Sequence, residues 1–325
     1  MRCMNVLFII DRVELKYFEF NNLVTNFWLI RELIYKDAKV SITTIDNLSL
    51  KNGNAFTACF DVFEQNGNIF YEKALKSLKI NDFELVMFRP DPPVDLDYIN
   101  ATYIFDFVDR SKTVILNDPK AIRDFNEKLH TVKFLHLMPE NIVTSSKADI
   151  IEFLNEHQEI VLKPLNGCFG AGVMTLSKSD KNTSVIINTM TKNQSQLIMV
   201  QKYIDKAKFG DKRVMFLGDE VLDVCIQKLP SNDDFKFNEH CDSNIIRAEL
   251  STSEKEKFLP VAREMNKAGL PLAGLDVIDE KIIEINVTSP CYFIKETNYH
   301  HGIQLEKKIT DFILSYKKCG TYSPA

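Results

Sequence analysis

A glycine-rich segment between two predicted strands constrains the fold more than any other feature of this chain. Residues 167–172 contain three of the 11 glycines in the sequence, and a strand-like run, residues 173–176, follows directly. Glycine permits positive φ and close approach of the backbone to a ligand, and successive N–H groups in such a loop form a concave anion site. The GxxGxG spacing fits neither GxGxxG nor GxxxxGK(S/T), which both open a helix. Because Lys163 precedes the segment, we predict a flap over phosphate, with an ordinary hairpin turn as the alternative.

Length and composition indicate a normal globular chain. It has 325 residues, of which 45% are hydrophobic and 26% are charged, enough for two or three domains. The net charge of −5 does not favour nucleic acid or an anionic membrane as a partner. The first apolar run, residues 4–10, is too short for a signal-peptide core or a membrane span. Seven scattered cysteines without a CxxC pattern indicate reduced thiols, so we expect a cytoplasmic protein.

Strands alternate with helices in the first part of the chain, which predicts a parallel α/β domain over residues 1–120. Residues 46–80 are left unassigned, apart from turns at Asn52-Gly53 and Asn66-Gly67. The predicted strands are residues 4–10, 39–44, 85–88 and 114–116, and the predicted helices are residues 22–36 and 98–109.

A different pattern begins at Asn117-Asp118-Pro119, which predicts a capped helix with proline in its first turn, continuing to Leu129. A later helix, residues 253–268, is predicted to begin at a Ser253 cap. The other elements expected here are a helix at 147–156, strands at 141–144, 160–165, 173–177 and 197–203, a hairpin at 213–229 with its turn at Gly218-Asp219, a loop at 231–247, strands at 273–279 and 281–287, and a C-terminal helix.

The two strands predicted after residue 272 would form a hairpin with one polar face. Residues two apart on a strand share a face. The polar face would therefore carry Asp276 from the first strand and Glu284 and Asn286 from the second. A three-residue turn, residues 279–281, places Asp276 opposite Glu284, whereas a two-residue turn sends the carboxylates to opposite faces. Two carboxylates and an amide suit Mg²⁺. The alternative is three solvated residues on an exposed sheet face.

Short runs in a fixed order carry a family resemblance. They are MFRPDPP at 87–93, ATYI at 101–104, NDP at 117–119, RDFNEKL at 123–129, VLKPL at 161–165, GDKRV at 210–214, GLDVI at 274–278 and EINVTSP at 284–290. With them the chain resembles bacterial glutathione synthetase, an ATP-grasp carboxylate–amine ligase family, from about Leu85 to Glu296, and more weakly before that. The resemblance implies an N-terminal α/β substrate domain, residues 1–120, followed by an ATP-grasp domain, residues 121–325. A lid subdomain over about 130–200 would hold nucleotide between two sheets.

The resemblance also implies a set of nucleotide contacts. Lys128 and Lys163 would neutralise the phosphates. The flap glycines would close over the phosphates, and a strand end would meet the adenine largely through its backbone. These further contacts would be Gly167, Gly170, Gly172, Gln201, Lys202, Tyr203, Asp211 and Asn286.

Metal and catalytic roles follow from the same resemblance. Asp276, Glu284 and Asn286 would hold Mg²⁺, or Mn²⁺ in its place. Arg213 would face the reacting carboxylate and, with Lys163, would supply the catalytic charges. The residues implied on the substrate side are Arg89, Asp91, Lys228, Lys236 and Ser289.

The chain departs from the family pattern where substrate is expected. Lys228 and Lys236 stand where the family has arginine, and lysine cannot reproduce the bidentate fork of a guanidinium. A glycine pair in the family is replaced by NEHCDS at 238–243, and Lys295 stands near another expected arginine. A Lys-Asp-Ser-type segment of the family is absent, and residues 17–22 occupy its place.

We therefore expect an ATP- and Mg²⁺-dependent ligase that forms an amide through an acyl phosphate. The first interpretation is a glutathione synthetase joining γ-glutamylcysteine and glycine. A ligase for another acid and amine, or a non-catalytic ATP-binding scaffold, are the alternatives. The partners implied are these small molecules, without nucleic acid or membrane, in a homo-oligomer such as a tetramer.

Overall fold

The first sheet is built around four parallel strands. The computed structural model describes residues 4–12, 22–168, 170–230 and 244–318. The parallel strands, in spatial order, are β2 (Lys39–Thr43), β1 (Asn5–Ile9), β7 (Leu85–Phe88) and β8 (Val114–Leu116). Buried residues fill both faces of β1 and β7, as expected for a parallel sheet covered on both sides. The strands predicted in this region are confirmed.

An antiparallel extension occupies the stretch that the sequence pattern leaves unassigned. Its long central strand pairs with β2 on one edge and carries three short strands. The predicted turns at Asn52-Gly53 and Asn66-Gly67 are confirmed, and all four residues have positive φ, as a type I′ hairpin turn requires. The strands are β3 (Leu48–Lys51), β4 (Asn54–Gln65), β5 (Asn68–Tyr71) and β6 (Lys76–Lys79).

Two helices accompany the first sheet. The predicted helices are confirmed as α1 (Thr25–Tyr35) and α2 (Leu96–Ile104), with the second shorter than expected. Asp95 caps α2 by accepting a hydrogen bond from the Tyr98 amide, and a 3₁₀ turn continues it to Phe107. The helix therefore begins two residues before the predicted start, at residue 96, and its α-helical part ends five residues before the predicted end at residue 109.

The helix after Asn117 is much shorter than predicted. Asp118 caps α3 (Pro119–Arg123), and proline occupies its first turn, so the predicted start is correct. The predicted extension to Leu129 is wrong, because an irregular segment follows Arg123 and a 3₁₀ stretch, Leu129–Leu137, takes over. Asn126 explains the interruption: its side-chain oxygen accepts hydrogen bonds from the amides of Lys128 and Leu129. Asparagine commonly competes with helical bonding in this way.

A second, four-stranded antiparallel sheet carries the glycine-rich segment. Its strand order is β11 (Met174–Ser177), β10 (Glu159–Pro164), β12 (Ile198–Lys202) and β9 (Asn141–Thr144). Helices α4 (Lys147–His157) and α5 (Thr183–Met190) pack on it and share its core. We call this unit the lid sheet. Its predicted strands and the predicted helix are confirmed.

A third sheet completes the fold. Its antiparallel strands are β16 (Ile245–Glu249), β15 (Val224–Lys228), β13 (Asp211–Leu217), β17 (Leu272–Ile278) and β18 (Lys281–Asn286), with β14 (Glu220–Val221) paired to β13. The hairpin turn predicted at Gly218-Asp219 is confirmed. The loop predicted over 231–247 is wrong at its end, which belongs to β16; residues 231–243 lie outside the described residues.

Three helices surround this sheet. Helix α6 (Thr252–Lys267) begins at Ser251 with Glu254 in a reciprocal capping box, so the cap predicted at Ser253 is wrong by two residues. Helix α7 (Ile294–His301) precedes α8 (Leu305–Lys318), which packs on α1. Buried residues of α8 and β1 belong to one core. Within the described residues, no helix combines the length and apolar character needed to cross a membrane.

Gly210 is expected to tolerate no side chain. Its φ is +87° and its ψ −176°, a region that only glycine adopts readily. A Cβ there would lie 2.0 Å from the carbonyl oxygen of Lys228 on the neighbouring strand. We expect Gly210→Ala to lower the free energy of unfolding by at least about 3 kcal/mol, measured by chemical denaturation.

Gly302→Ala is the matched control. Gly302 has φ +64°, and nothing lies within 4 Å of the place that a Cβ would take, so backbone strain alone should cost about 1 kcal/mol. Equal losses for the two variants would show that the contact with Lys228 does not constrain residue 210.

Candidate active site

One cavity of about 760 Å³ lies where the three sheets meet. Ligand pockets of small molecules commonly have about 300–1,000 Å³. The lid sheet contributes Lys163, the third sheet contributes Arg213, and the loop after β7 contributes Asp91. The sequence-predicted residues that line it are Arg89, Asp91, Lys128, Lys163, Gly167, Gly170, Gln201, Lys202, Tyr203, Asp211, Arg213, Lys228, Asp276, Glu284, Asn286 and Ser289.

Two predicted site residues are not brought to this cavity. Gly172 does not line it; its Cα instead faces Pro164, and a Cβ there would lie 3.0 Å from the proline ring. Lys236 lies outside the described residues. Gly170 and Gly172 both have positive φ, at +69° and +73°, so these two glycines meet a backbone requirement of the flap.

The polar hairpin pairs Asp276 with Glu284, as the three-residue turn would have done, but it does so with a different turn and a β-bulge. Its turn has two residues, because Ile278 pairs directly with Lys281. Of the two turns considered, the two-residue turn is the one formed, and the expectation that it would send the carboxylates to opposite faces is wrong. A β-bulge nevertheless places Asp276 opposite Glu284, since Ile283 is an extra residue between the paired positions. The bulge reverses the facing of β18 beyond it and sets both carboxylates on the cavity side.

Asp276 is the centre of a buried charge network. Arg213 binds it through two hydrogen bonds, Nε to Oδ1 at 2.8 Å and Nη2 to Oδ2 at 3.1 Å. Lys228 Nζ lies 2.9 Å from Oδ1, and Asn286 donates to Oδ2 at 3.2 Å. Burial alone would raise the pKa of Asp276, but the charges of Arg213 and Lys228 lower it well below its usual range. Asp276 is therefore a firmly ionised carboxylate.

Lys228 is committed to two acids. Besides Asp276, its ammonium lies 2.7 Å from Asp211 Oδ2, and the residue is 7% exposed. Burial raises the pKa of Asp211 to about 6 in spite of this ammonium. Burial would lower the pKa of Lys228, but the two carboxylates raise it. The lysine therefore holds strands β13, β15 and β17 together at the cavity wall.

Lys128 joins the Asp276–Glu284 hairpin to the glycine flap. Its Nζ donates to Glu284 Oε1 at 2.7 Å and to the Gly167 carbonyl at 2.7 Å. Asn126 adds a second link, donating to the Leu165 carbonyl at 3.1 Å. The position of the flap is thus tied to the acid on β18.

Lys163 is a buried cation with little to compensate it. The residue is 8% exposed, and among the described residues its ammonium has a hydrogen-bond contact only with the Ile283 carbonyl, at 3.5 Å. Burial lowers the pKa of Lys163 to about 8, with Lys128 adding to the effect and Glu284 opposing it. A bound anion in the cavity would reverse this shift.

We expect nucleotide binding to take up protons near pH 8 because of Lys163. Its folded pKa lies below the unfolded value, so the folded chain carries less charge there between about pH 8 and 10 and its stability rises with pH. A polyphosphate raises the pKa again, which adds up to about half a proton at pH 8. Calorimetry in buffers of different ionisation enthalpy measures this uptake. Unchanged uptake in Lys163→Met would assign it to another group.

The end of strand β12 presents a mixed set of polar groups to the cavity. Gln201 is 2% exposed, and its buried Nε2 has no hydrogen-bond partner in the described part of the chain. Buried amide groups are normally hydrogen-bonded, so this orphaned donor suits an acceptor on a ligand. Lys202 instead pairs with Glu140 at 2.9 Å. The Tyr203 amide donates to the Glu159 carbonyl, which fixes the strand end.

Arg89 is buried at the junction of the first and third sheets. It is 1% exposed, and its guanidinium donates to Asn26 at 2.6 Å and to the Pro290 carbonyl at 2.9 Å. A longer contact, 3.4 Å, reaches Ser289 Oγ. Its side chain therefore positions the loop after β18, and Asp91 beside it lines the cavity.

Sequence reasoning missed two acids at the cavity. Glu127 accepts three hydrogen bonds through Oε1, from the amides of Val287 and Thr288 at 2.7 and 3.0 Å and from the Thr288 hydroxyl at 3.0 Å. Burial raises the pKa of Glu127, with Glu284 adding to the effect. Glu296 lines the cavity with a buried oxygen, Oε2, that has no hydrogen-bond partner among the residues that the structure describes. Glu127 stood within a matching run beside Lys128, which was the available signal; Glu296 has no comparable pattern.

The residues on the hairpin fit a hard divalent cation. Asp276 and Glu284 offer carboxylate oxygens and Asn286 an amide oxygen, which is the donor set that Mg²⁺ or Mn²⁺ uses. The Glu284 side chain is 22% exposed, so it remains accessible from the cavity. Lys128 is already bonded to Glu284, and Arg213 to Asp276, so a bound cation would have to share these carboxylate oxygens with the two side chains.

Comparison with known proteins gives consistent results over nearly the whole chain. The profile of the prokaryotic glutathione synthetase N-terminal domain matches residues 4–123, and that of the prokaryotic glutathione synthetase ATP-grasp domain matches residues 127–300. Glutathione synthetase of Neisseria meningitidis serogroup A is 33% identical over 300 residues, covering 90% of this chain and 93% of the relative.

Solved structures show the same fold at low identity. A D-cycloserine synthetase superposes with a TM-score of 0.68 at 13% identity, covering 97% of this chain and 99% of that chain. The ATP-grasp ligase PsnB, determined with a precursor, Mg and ADP, gives a TM-score of 0.60 at 14% identity, covering 97% of this chain and 98% of that chain. The chain has the ATP-grasp fold, and it belongs to the prokaryotic glutathione synthetase family.

Proposed function

We propose that this chain is an ATP- and Mg²⁺-dependent ligase that joins γ-glutamylcysteine to glycine. The observation that carries the proposal is the gathering of Lys128, Lys163 and Arg213 around the Asp276–Glu284 pair in one cavity. The family's curated members bear the name glutathione synthetase. The cavity lies between the lid sheet and the third sheet, which supports the division into a substrate domain, residues 1–120, and an ATP-grasp domain.

The charges suit the activation of an acid. A carboxylate does not react with an amine at neutral pH, so its oxygen must first receive the terminal phosphoryl group of ATP. The acid, the phosphates and the transition state are all anionic. Lys128 and Lys163 would neutralise the phosphates, and Arg213 would face the reacting carboxylate, so that catalysis is chiefly positioning and charge stabilisation.

The metal would share this task with the protein. Asp276, Glu284 and Asn286 would hold Mg²⁺, which supplies positive charge to the phosphate oxygens when it is bound. Lys128 donates hydrogen bonds to both Glu284 and the flap carbonyl of Gly167. The same lysine would therefore hold the proposed metal ligand and the closed flap in a fixed relative position. A closed flap excludes water from the acyl phosphate, which would otherwise be hydrolysed. The amine then attacks the carbonyl carbon and phosphate leaves.

One observation favours a second candidate, a ligase for a different acid. Lys228 occupies the position of a family arginine, yet its ammonium is already bonded to Asp211 and Asp276. A lysine held in this way offers no bidentate grip on a substrate carboxylate. If the arginine that the resemblance implies at this position grips the substrate acid in the family, the acid subsite of this chain would differ, and another carboxylate would be the preferred substrate.

Phosphate release from the purified protein tests the proposal. The protein is incubated with ATP and Mg²⁺, with γ-glutamylcysteine and glycine supplied separately and together. Release only with both substrates, accompanied by a product of the tripeptide mass, supports the proposed reaction. Release with other acid–amine pairs supports the second candidate. Nucleotide binding without turnover in any combination identifies a non-catalytic scaffold.

Glu296 is expected to contribute to recognition of the ammonium group on a substrate. Its unpartnered buried oxygen is a costly arrangement that a positively charged donor would relieve. We expect Glu296→Gln to raise KM for the substrate with that ammonium by about tenfold, with KM for ATP unchanged. Lys307 on helix α8 is exposed and does not line the cavity, so Lys307→Gln is the control and should leave both KM values unchanged. An equal rise in the ATP KM for Glu296→Gln would contradict this role.

A further inference from the structure

A second cluster of metal-ligating side chains lies on the lid sheet. Glu140 immediately precedes β9, and Glu156 and His157 are the last two residues of α4. One ligand atom of each residue lies within 4.8 Å of the other two. His157 Nε2 is 3.9 Å from Glu140 Oε2 and 3.9 Å from Glu156 Oε2. None of these three residues lines the cavity, so the cluster is separate from the Asp276–Glu284 hairpin.

The imidazole of His157 is an independent indication of a ligand. Its side chain is 5% exposed, and the Phe153 ring packs edge-on against it with centroids 4.2 Å apart. Across the described parts of the chain, neither ring nitrogen has a hydrogen bond, and Nε2 faces only the two carboxylates. The ring is thus fixed in orientation, with one nitrogen directed at acidic groups.

The charge around His157 favours an additional cation. The cluster sits at the C-terminal end of α4, where the unpaired carbonyl groups carry partial negative charge. Lys202 neutralises one oxygen of the group, binding Glu140 Oε1 at 2.9 Å. It leaves Glu140 Oε2 and the Glu156 carboxylate turned toward the imidazole. The negative charge of the two carboxylates and of the helix C-terminus is therefore only partly offset by the ammonium of Lys202.

We propose that Glu140, Glu156 and His157 bind a divalent transition-metal ion of the zinc type. Zn²⁺ binds imidazole nitrogens and carboxylate oxygens in proteins, whereas Mg²⁺ and Ca²⁺ prefer oxygen ligands alone. Bonds of about 2.0–2.2 Å require the ligand atoms to approach to about 3.5 Å. The two glutamates can make this movement, because their side chains are 59% and 67% exposed. The ion would fasten the start of β9 to the end of α4.

Cobalt titration of the full chain tests the site. Co²⁺ reports its ligands through visible absorption, and excess Mg²⁺ is present to occupy the cavity acids. We expect the wild type to bind one Co²⁺ more than Glu156→Gln or His157→Ala, without a thiolate charge-transfer band. We also expect Co²⁺ to raise the melting temperature of the wild type and of neither variant, since an ion that binds only the folded state stabilises it.

The controls separate the site from other causes. Glu152 is exposed on the same helix, so Glu152→Gln should bind Co²⁺ as the wild type does. Glu156→Gln carries the test if His157→Ala unfolds, because Glu156 is largely exposed. Equal stoichiometry and affinity in the wild type, Glu156→Gln and Glu152→Gln would overturn the proposal. So would an NMR titration in which His157 is held as an imidazolium and does not respond to Co²⁺.

Discussion

Lys163→Ala is expected to lower turnover by about 10²–10³-fold, the usual cost of removing one preorganised charge-stabilising group. The ammonium lies in the cavity, and within the described part of the chain its one hydrogen-bond contact is a long one, 3.5 Å to the Ile283 carbonyl, so little of the described structure depends on it. Removing a buried charge also removes its desolvation cost. The melting temperature should therefore stay the same or rise. Steady-state phosphate release and thermal denaturation measure the two effects.

Lys178→Ala is the control for this variant. Lys178 is exposed just after β11 on the same lid sheet, and its removal should change neither quantity. Near-normal turnover in Lys163→Ala would show that the reacting phosphates do not meet this side chain. A large fall in melting temperature would show instead that Lys163 has a structural role.

Glu284→Gln is expected to lower turnover by about 10²-fold and to shift the Mg²⁺ dependence to higher concentration. The change removes a carboxylate oxygen from the metal hairpin and the counterion of Lys128, which lies 2.7 Å away. Because Lys128 also binds the flap carbonyl of Gly167, flap closure should weaken as well. Turnover as a function of Mg²⁺ measures the shift, and Mn²⁺ binding by electron paramagnetic resonance measures the site directly.

Glu280→Gln provides the comparison on the same hairpin. Glu280 lies in the exposed two-residue turn and pairs with Lys257. The Glu280→Gln substitution should leave the Mg²⁺ dependence of turnover unchanged. Identical metal affinity in Glu284→Gln and the wild type would remove Glu284 from the metal site.

The local sequence predicted the elements well where side-chain alternation or turn chemistry is strong. Asn52-Gly53 and Asn66-Gly67 predicted their hairpin turns, because type I′ turns require positive φ at both residues. Asp118 and Pro119 predicted the start of α3. The pattern failed at the end of α3, since the Asn126 side chain competes there for backbone amides. It also failed at α6, where Ser251 and Glu254 form the capping box.

The same division holds for the candidate site. The sequence predicted which side chains would gather, because residue type and strand period place Asp276, Glu284 and Asn286 on polar faces. It could not predict the partners of those side chains. The bidentate bond between Arg213 and Asp276 and the three bonds accepted by Glu127 join residues that are far apart in the chain.

By itself, the sequence predicted most strands and helices outside residues 46–80, the glycine-rich segment beside Lys163, and the acids on the predicted hairpin. These features depend on periodicity and on the conformational freedom of glycine, which are local properties. Only the tertiary structure decided the register of the metal hairpin, where the bulge at Ile283 compensates for a two-residue turn. It also decided that Lys228 is held by Asp211 and Asp276. Both depend on which strands lie side by side, and such contacts are set by the packing of the whole chain.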